Sequence, residues 1–414
     1  MKRVVVTGLG VITPVGNDVE TFFANLVNGV RGIDYITRFD AAEYKVKIAA
    51  EVKDFNVLDY VQKSDARRMD LYTQYAVAAA MQAVQDSGIA GSVDAGRFGV
   101  YVGSGIGGIS TFIKEAEKLL TGGPGKISPF FVPMMISNMA AGTIAISFNA
   151  QGPCLPVVTA CATSTHAIGE AFRAIRHGYA DAIIAGGSEA AVNPLAIAGF
   201  SNCMALTFRN DPSSASIPFD RRRDGFVLGE GAGIVILEEY EHAVARGAKI
   251  YAEVTGYGNT CDAYHITAPH PESRGAEQAI RLALADSGVD SPEEIDTGKI
   301  YFNAHGTSTP LNDAAETRAI KNVFGRNAAG VHISSTKSMT GHMLGAAGAV
   351  EAVASILALK NGVVPPTIGY EQPDPDCDLN YTPNKSVQAD LELALSSSLG
   401  FGGHNGVLAF SKSK

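Results

Sequence analysis

The sequence predicts an α/β protein in which two related halves share one core. Hydrophobic residues make up 46% of the 414 residues and charged residues only 18%, a balance typical of a large folded body and not of a disordered chain. Apolar runs such as Val100–Val102 and Ile234–Leu237 lack polar alternation, which indicates strands buried on both faces. Helical segments separate these runs, and this alternation favours parallel units with right-handed connections.

Three blocks of sequence occur twice in the same order, which indicates an internal duplication. The matched pairs are Val6–Gly10 with Val254–Gly258, Ala83–Ile89 with Ala283–Val289, and Arg97–Gly105 with Gly298–Gly306. Each half is predicted to contain a strand, a helix ended by an Asp-Ser-Gly stop, a strand, an insertion, a strand and a helix of small residues. We place the halves at residues 1–249 and 250–414, divided near the charged segment Glu238–Lys249.

Charge and cysteine usage exclude several classes of protein. The net charge of −9 argues against nucleic acid as a partner. Five cysteines without a C-x-x-C pair fit neither a disulfide framework nor a structural zinc site, and they predict a reduced cytoplasmic protein. The apolar run at Val4–Val6 is soon interrupted, so we expect an entering strand and not a signal peptide. No stretch is expected to reach the roughly 18 apolar residues of a membrane span, and no metal or cofactor is predicted.

A candidate nucleophile lies where an apolar run ending at Val158 meets a helix expected from about Ala162 to His177. In open α/β sheets ligands bind beyond the carboxyl ends of strands, which is where this pattern places Cys161. The dipole and free amides of a helix N-terminus lower the pKa of a thiol there. A buried, inert cysteine is the alternative. That alternative is preferred for the other cysteines, Cys154, Cys203, Cys261 and Cys377.

Two histidines follow other predicted strand ends. His305 lies in Asn303–Pro310, and His342 ends the segment Ser334–His342, which is the C-terminal counterpart of the segment around Cys161. Equivalent strand ends of a duplicated fold meet near its pseudo-twofold axis, so both imidazoles could share a pocket with the thiol. A lone loop histidine is more often a hydrogen-bonded surface residue, and the joint occurrence with Cys161 is what favours a site.

The glycine-rich segment Leu399–Gly406 offers backbone amides that another group can approach closely. Such amides suit an oxyanion hole, which needs N–H donors aimed at developing charge. A plain glycine turn between two strands explains the segment equally well.

Two other patterns are rejected as ligand sites. Gly103–Gly108 matches G-x-G-x-x-G, but a dinucleotide site also needs an acidic residue about 20 positions later at a strand end. The region Gly122–Lys126 offers neither. His265 and His270 lie beside prolines at a spacing too irregular for a metal pair, and no third ligand is evident.

Several of these segments resemble those of β-ketoacyl-acyl carrier protein synthases. The segments that carry the resemblance are Thr159–Cys161, Asn303–Thr309, Thr336–His342, Gly400–Gly403, Lys126–Pro133 and Ser216–Asp220. The resemblance covers essentially the whole chain and is closest to the elongating synthase II group of bacterial type II fatty-acid synthesis. It implies the thiolase-like fold, a duplicated five-layer α/β/α/β/α arrangement, and a decarboxylative condensation.

The resemblance also implies roles for individual residues. Cys161 is the expected nucleophile, and its amide and that of Phe401 are expected to hold the tetrahedral oxyanion. His305 and His342 are expected to donate hydrogen bonds to the enolate left by decarboxylation of a malonyl thioester. Lys337 is expected to order the local electrostatics, paired with Glu316, although a purely structural ion pair is the alternative. The expected substrate-binding residues are Thr307, Thr309, Ile109, Phe200, Gly402 and the gate residue Phe401.

The implied partners are acyl carrier protein, in its acyl- and malonyl-loaded forms, and a second copy of this chain. The carrier and this chain are both acidic, so docking needs a local basic patch. The residues matching the family's docking patch are Lys63, Arg67, Arg68 and Arg209, for which solvated surface charge is the alternative. The insertion at Thr111–Ser147 resembles the region through which family members dimerise. His404 replaces a more familiar Thr and leaves the chain-length preference open.

Other functions are alternatives to condensation in fatty-acid elongation. A type I synthase or a polyketide ketosynthase would differ in substrate only. A non-catalytic chain-length partner subunit would share the fold but usually lacks the nucleophile, which is present here as Cys161. A nicotinamide oxidoreductase would depend on the rejected glycine pattern.

Overall fold

Strands and helices alternate along residues 1–413, the part of the chain that this computed structural model describes. The strands are β1 (Val4–Ile12), β2 (Asp34–Tyr35), β3 (Ile48–Ala49), β4 (Phe98–Gly103), β5 (Ala182–Glu189), β6 (Gly231–Glu239), β7 (Ala252–Cys261), β8 (Ile300–Asn303), β9 (His332–Ser334), β10 (Val363–Val364), β11 (Val387–Gln388), β12 (Leu393–Gly400) and β13 (His404–Ser411). The helices are α1 (Val19–Val27), α2 (Lys63–Ala66), α3 (Leu71–Ser87), α4 (Ile109–Gly122), α5 (Phe131–Met135), α6 (Met139–Phe148), α7 (Thr163–Arg176), α8 (Pro194–Asn202), α9 (Tyr240–Ala245), α10 (Arg274–Asp286), α11 (Pro310–Phe324), α12 (Lys337–Thr340) and α13 (Ala347–Asn361). Short 3-10 turns occupy Val57–Asp59, Ala95–Arg97, Pro124–Lys126, Ala160–Ala162, Pro292–Glu294, Thr297–Lys299, Gly325–Gly330 and Leu344–Ala346.

Within residues 1–413, nine strands form one mixed sheet in the order β4-β5-β6-β1-β7-β13-β12-β8-β9. The first four strands come from the N-terminal half and the last five from the C-terminal half, and the two parts meet where β1 pairs with β7. The expected parallel pairing is confirmed for β4 with β5 and for β8 with β9 and β12. It is wrong for β1, β6, β7 and β13, each of which runs antiparallel to both neighbours. For β13 the reason is that only a short turn follows β12, too short for a crossover to a parallel strand.

The repeated sequence blocks correspond to repeated contacts between a strand and a helix. A Cβ built on Gly10 of β1 would lie 2.0 Å from the carbonyl oxygen of Ala79 in α3. A Cβ on Gly258 of β7 would lie 1.9 Å from the equivalent oxygen of Ala279 in α10. Glycine is needed at both positions because the helix backbone packs directly against the strand.

A second repeated contact uses the aspartate of each Asp-Ser-Gly block. The carboxylate of Asp86 accepts a hydrogen bond from the amide of Leu9 at 3.0 Å, and Asp286 accepts one from the amide of Tyr257 at 3.2 Å. The same side chain therefore ties helix to strand in both halves, as expected of a duplication.

Helices α7 and α13 lie in the middle of the molecule. The N-terminal part of the sheet forms one layer against these helices, and the C-terminal part forms another. Outside the two strand layers, α3 packs against β1 and β6, and α10 packs against β7 and β13. The result is five layers, in the order helix, strand, helix, strand, helix. The core around the central helices includes Leu9 and Val235 from the N-terminal half and Leu408 and Phe410 from the C-terminal half. The two halves therefore share one core, as the sequence predicts.

One central helix meets the length and composition test for a membrane span. The segment Leu344–Asn361 is 18 residues long with a mean hydropathy of 1.3, and 89% of it is buried inside the molecule. The expectation that no stretch reaches this length is wrong. The physical reason is that a helix enclosed by protein on every side is as apolar as one enclosed by lipid.

The strand expected just before Cys161 is reduced to a single parallel bridge between Val100 and Cys154. The predicted strand ending at Val157 and Val158 does not form. Pro153 and Pro156 flank the bridge, and a proline has no N–H to donate to a strand ladder. This segment is the N-terminal counterpart of β9, and it leads directly to Cys161.

Candidate active site

Cys161 lies in the turn Ala160–Ala162, which leads into α7. Ala160 has a φ of +50°, a left-handed conformation that costs a non-glycine residue about 1–3 kcal/mol. The amide of Thr159 donates to the hydroxyl of Thr163 at 2.9 Å, which helps to hold the turn. The expected helix from about Ala162 is confirmed within one residue at each end. The strained turn places the thiol at the helix N-terminus.

The C-terminal half repeats this turn at Leu344–Ala346, before α13. Leu344 has a φ of +45°, which matches that of Ala160. The structural counterpart of Cys161 is therefore Gly345, and His342 precedes it. One copy of the turn thus carries the candidate nucleophile, and a candidate histidine lies just before the other copy.

Cys161, His305 and His342 line one cavity of about 400 Å³. Thr307, Thr309 and Phe401 line it as well. The structure therefore brings together six of the side chains that the sequence analysis selected, from four separate segments of the chain.

The two imidazoles face each other at close range. Their ring centroids lie 5.2 Å apart with the rings at 88°. Burial, the charge of Lys337 and the neighbouring His342 lower the pKa of His305 well below its usual range, and burial and Lys337 do the same for the pKa of His342. Both rings are therefore neutral at pH 7 and can each donate one N–H hydrogen bond.

Lys337 lies behind this pair and is 1% exposed. Its Nζ is 3.4 Å from Nδ1 of His305 and forms an ion pair with Glu351. An ammonium group has no acceptor, so Nδ1 must accept, and the ring hydrogen is assigned to Nε2. Lys337 therefore sets His305 as a donor through Nε2.

The expected pairing of Lys337 with Glu316 is wrong. Glu316 instead accepts hydrogen bonds from the amides of His305 at 2.7 Å and Gly306 at 2.8 Å. Two backbone donors already satisfy this carboxylate, whereas Glu351 in α13 directly faces the ammonium. Burial raises the pKa of both carboxyl groups to about 7.

Glu351 is a residue that the sequence analysis missed, although a signal was present. It is the one charged residue between Ala347 and Leu359, a stretch that is otherwise apolar except for Ser355. An acidic residue that is 2% exposed in a core helix needs a buried partner. Phe226 was missed as well, and its ring packs edge-on against His342 with centroids 5.1 Å apart.

The expectation of a lowered thiol pKa at Cys161 is wrong. Burial raises the pKa of this thiol to about 12, because desolvation outweighs the favourable effects of the Lys337 charge and the backbone amides of Phe401 and Cys161. The thiol is therefore protonated at rest.

The glycine-rich turn after β12 packs directly on the turn that carries Cys161. A Cβ built on Gly400 would lie 2.8 Å from the carbonyl oxygen of Thr159 and 3.3 Å from the amide nitrogen of Cys161. Gly402 and Gly403 have φ values of +88° and +78°, which favour glycine. The segment is a tight turn between two strands, and it brings the amide of Phe401 to the thiol.

The other expected substrate contacts differ in their placement. The hydroxyls of Thr307 and Thr309 lie 2.9 Å apart in the cavity wall. Ile109 and Phe200 pack against the apolar cluster that contains Cys161, away from the cavity lining. Gly402 does not line the cavity, and its amide donates a hydrogen bond to the carbonyl of Ile266 at 2.8 Å.

The four expected docking residues fall into two groups. Lys63, Arg67 and Arg68 are exposed on α2 and just after it. Arg209 is half-buried, and its guanidinium donates to the carbonyls of Ser214 at 3.4 Å and Arg222 at 3.1 Å. Arg209 is therefore engaged by its own chain.

The rejected patterns have structural roles. The turn Gly103–Gly108 surrounds the buried carboxylate of Glu189, which accepts from Ser104 at 2.8 Å and from the amide of Gly105 at 2.9 Å. His265 and His270 each accept hydrogen bonds from amides of their own loop. In the described part of the chain, residues 1–413, no group of three His, Cys, Asp or Glu side chains is placed to hold a metal ion.

Comparisons with known proteins identify the family. Residues 1–243 match the model of the β-ketoacyl synthase N-terminal domain, and residues 251–371 match that of the C-terminal domain. The 3-oxoacyl-[acyl-carrier-protein] synthase 2 of Synechocystis sp. is 53% identical over 413 residues, covering 99% of this chain and 98% of the relative. A crystal structure of a β-ketoacyl synthase from Burkholderia phymatum covers 100% of both chains with a TM-score of 0.91 and 35% identity.

A third comparison is with a type II PKS ketosynthase solved in complex with its acyl-carrier protein. It covers 100% of both chains with a TM-score of 0.89 and 37% identity.

This chain belongs to the β-ketoacyl synthase family. It has the thiolase-like fold, and its activity is that of a ketosynthase, an acyltransferase that forms 3-oxoacyl products by condensation.

Proposed function

We propose that this chain elongates fatty acids by condensing an acyl group, held on Cys161, with malonyl-acyl carrier protein. The observation that carries the proposal is the shared cavity, in which one thiol meets two neutral imidazoles and the amide of Phe401. The 53% identity to an enzyme named for this reaction supports the same substrate class.

In the first step Cys161 attacks the thioester carbonyl of an acyl carrier. The carbonyl oxygen becomes an oxyanion, and the amides of Cys161 and Phe401 stabilise it. The carbon–sulfur bond to the carrier then breaks, and the departing carrier sulfur takes the proton of the Cys161 thiol. The acyl group therefore moves to the Cys161 sulfur and the proton moves to the carrier sulfur. This exchange suits a nucleophile that is protonated at rest, because burial raises the pKa of the Cys161 thiol to about 12.

In the second step a malonyl thioester loses carbon dioxide, and the electron pair moves onto the thioester oxygen. His305, through Nε2–H, and His342 donate hydrogen bonds to that enolate oxygen. Loss of one such donor typically costs about 3–4 kcal/mol of transition-state stabilisation. The enolate carbon then attacks the acyl-Cys161 carbonyl, the 3-oxoacyl carrier leaves, and the Cys161 thiolate takes a proton from solvent.

The proposed carrier docking site is the exposed basic patch Lys63, Arg67 and Arg68. The patch is locally positive although the net charge of the chain is −9, so it can attract an acidic carrier at this place on the surface. The Arg68 guanidinium lies 5.1 Å from the centre of the Phe130 ring, which holds it at the surface. Thr307 and Thr309 offer hydroxyls to the amides of the carrier's prosthetic arm.

A second copy of this chain is the proposed oligomeric partner. Apolar side chains of the insertion are exposed, among them Phe112 at 45% and Leu120 at 86%. In addition, Leu155 and Val158 are half-exposed beside the single bridge at the sheet edge. Monomeric proteins rarely expose contiguous apolar surface and an open strand edge together. Light scattering on wild type and on Leu120→Glu/Val158→Glu tests this, with a dimer expected for the former and a monomer for the latter.

We further propose a cytoplasmic location and a division of labour between residues 1–249 and 250–414. The five cysteines are unpaired, which suits a reducing compartment. The first half contributes Cys161 and the insertion, and the second contributes His305, His342 and Lys337.

Incubation with radiolabelled acyl carrier and malonyl carrier tests the reaction. We expect label on the peptide containing Cys161, carbon dioxide release, and a product extended by one condensation. Absence of both label and carbon dioxide would indicate a non-catalytic partner subunit. Repeated condensation without reduction would indicate a polyketide ketosynthase.

A further inference from the structure

A buried histidine that the reaction above does not use links the two segments that carry the oxyanion donors. His166 lies near the start of α7 and is 3% exposed. Its Nε2 is 3.2 Å from the carbonyl oxygen of Asn405, and its Nδ1 is 2.9 Å from the hydroxyl of Thr159. A carbonyl oxygen only accepts, so Nε2 carries the hydrogen and Nδ1 accepts from the hydroxyl.

These two hydrogen bonds join distant parts of the chain. Thr159 directly precedes the strained residue Ala160 and the nucleophile Cys161, whereas Asn405 lies in β13, just after the turn that carries Phe401. The imidazole therefore connects the nucleophile turn to the strand that begins after the glycine-rich turn.

The ring is confined in this position. A Cβ built on Gly406 would lie 2.7 Å from Cδ2 and 2.8 Å from Nε2 of His166, so only glycine leaves room there. Tyr257 and His404 contact the ring edge-on, with centroids 6.2 and 6.3 Å away. Few alternative orientations remain for the imidazole, so its two hydrogen bonds are held in fixed directions.

We propose that His166 is a positioning residue, which sets the separation between the Cys161 and Phe401 amides through its bonds to Thr159 and Asn405. This role rests on the proposed function, since those amides matter only if an acyl oxyanion forms between them. Without the bond to Thr159, the left-handed backbone at Ala160 loses one of its restraints and the Cys161 amide turns away from the oxyanion.

The role applies to the steps in which an acyl oxyanion forms on Cys161, and malonyl decarboxylation is not one of them. His305 and His342, the enolate donors, come from the loops after β8 and α12, and across residues 1–413 neither is hydrogen-bonded to His166. Loss of the link should therefore slow acyl transfer to Cys161 and leave malonyl decarboxylation in place. A residue needed only for folding would affect both steps together.

The test compares four variants of the full-length enzyme. His166→Phe keeps a ring but removes both nitrogens, Thr159→Val removes the hydroxyl at constant size, and Thr159→Ser restores it. His177→Phe is the matched control, because His177 caps the exposed end of the same helix. Single-turnover acylation by labelled acyl carrier and carbon dioxide release from malonyl carrier are measured separately, with melting temperatures recorded for each.

We expect His166→Phe and Thr159→Val each to lower the acylation rate about 10- to 100-fold, the effect of a small misplacement of reacting groups. The KM for acyl carrier and the decarboxylation rate should change by less than about threefold, since no substrate contact is lost. Thr159→Ser and His177→Phe should behave as wild type. The double variant His166→Phe/Thr159→Val should be no slower than the slower single variant, because both remove one link.

Equal loss of acylation and decarboxylation in a folded variant would overturn the positioning role, as would unchanged acylation in Thr159→Val. If His166→Phe does not fold, the contrast between Thr159→Val and Thr159→Ser decides the question alone. A wild-type enzyme that neither acylates nor decarboxylates would overturn the proposed function, and the positioning role with it.

Discussion

The ammonium group of Lys337 lies 3.4 Å from Nδ1 of His305, on the opposite side of the ring from the nitrogen that carries the hydrogen. A positive charge in this place lowers the pKa of the imidazole and at the same time selects its tautomer. The ion pair with Glu351 therefore does more than hold two helices together. It keeps the neighbouring ring neutral and oriented as a donor.

Replacement of this lysine should separate its two effects. Lys337→Met leaves the Glu351 carboxyl buried without a partner and should lower the free energy of unfolding by about 3 kcal/mol. Lys337→Met/Glu351→Gln should recover most of that stability but not the decarboxylation rate, because no group then fixes the His305 tautomer. Urea unfolding and carbon dioxide release measure the two effects. A double variant with wild-type decarboxylation would reduce Lys337 to a structural ion pair.

Removal of the nucleophile should uncouple the two half-reactions. Cys161→Ala cannot take up the acyl group, yet both enolate donors remain in the cavity. We expect no covalent label and continued carbon dioxide release from malonyl carrier. A folded variant without any decarboxylation would show that the roles of the thiol and the imidazoles have been assigned incorrectly.

Alkylation of Cys161 should depend strongly on pH. Because burial raises the pKa of this thiol to about 12, the thiolate fraction increases with pH throughout the accessible range. The rate of reaction with iodoacetamide should rise about tenfold per pH unit from pH 7 to 10, since only the thiolate reacts. In urea the same thiol should return to a pKa of about 8.5, and its rate should level off above that pH. A plateau near neutral pH in the folded enzyme would mean a stabilised thiolate.

Charge reversal should test the docking patch. The triple variant Lys63→Glu/Arg67→Glu/Arg68→Glu should have a KM for carrier-bound substrates about tenfold higher at low ionic strength, if each exposed charge contributes about 0.5 kcal/mol. The increase should shrink in 0.5 M salt because screening acts on exposed charges. Reversal of the exposed Lys385 is the control. An unchanged KM would exclude this patch as the carrier site.

The duplicated glycines should be equivalent in stability. Gly10→Ala and Gly258→Ala each force a Cβ into the backbone of a packed helix and should destabilise the fold by about 3 kcal/mol. Gly199→Ala in α8 is the control, since its Cβ would meet no atom of residues 1–413 within 4 Å and should stabilise the helix by about 0.5–1 kcal/mol. Thermal unfolding measures all three, and tolerance at either strand position would contradict the close packing.

Much of the fold was predictable because the duplication repeats the residues that pack a helix on a strand. Gly10 and Gly258 recur with Asp86 and Asp286, and these are the contacts that the structure repeats. The antiparallel orientation of β13 was harder to predict, because an apolar pattern indicates that a strand forms but not in which direction it runs in the sheet. The missing strand before Cys161 was signalled by Pro153, whose effect on strand pairing is general.

In the cavity, the meeting of Cys161, His305 and His342 was predictable from the duplication, but their electrostatic environment was not. The thiol of Cys161 lies at a helix N-terminus as expected, yet its pKa is set by burial, which depends on side chains from many distant segments. The partner of Lys337 could not be chosen between Glu316 and Glu351 by motif alone, since the answer depends on which carboxylate the backbone already satisfies.

The innermost helix carries Glu351, the ion-pair partner of Lys337. Every residue from Ala347 to Leu359 in α13 is enclosed, with strands of both halves against it. Heat inactivation and global melting should therefore coincide, and no proteolytic fragment containing a single half should retain chemistry. The Lys337–Glu351 ion pair therefore cannot separate unless the whole enzyme unfolds.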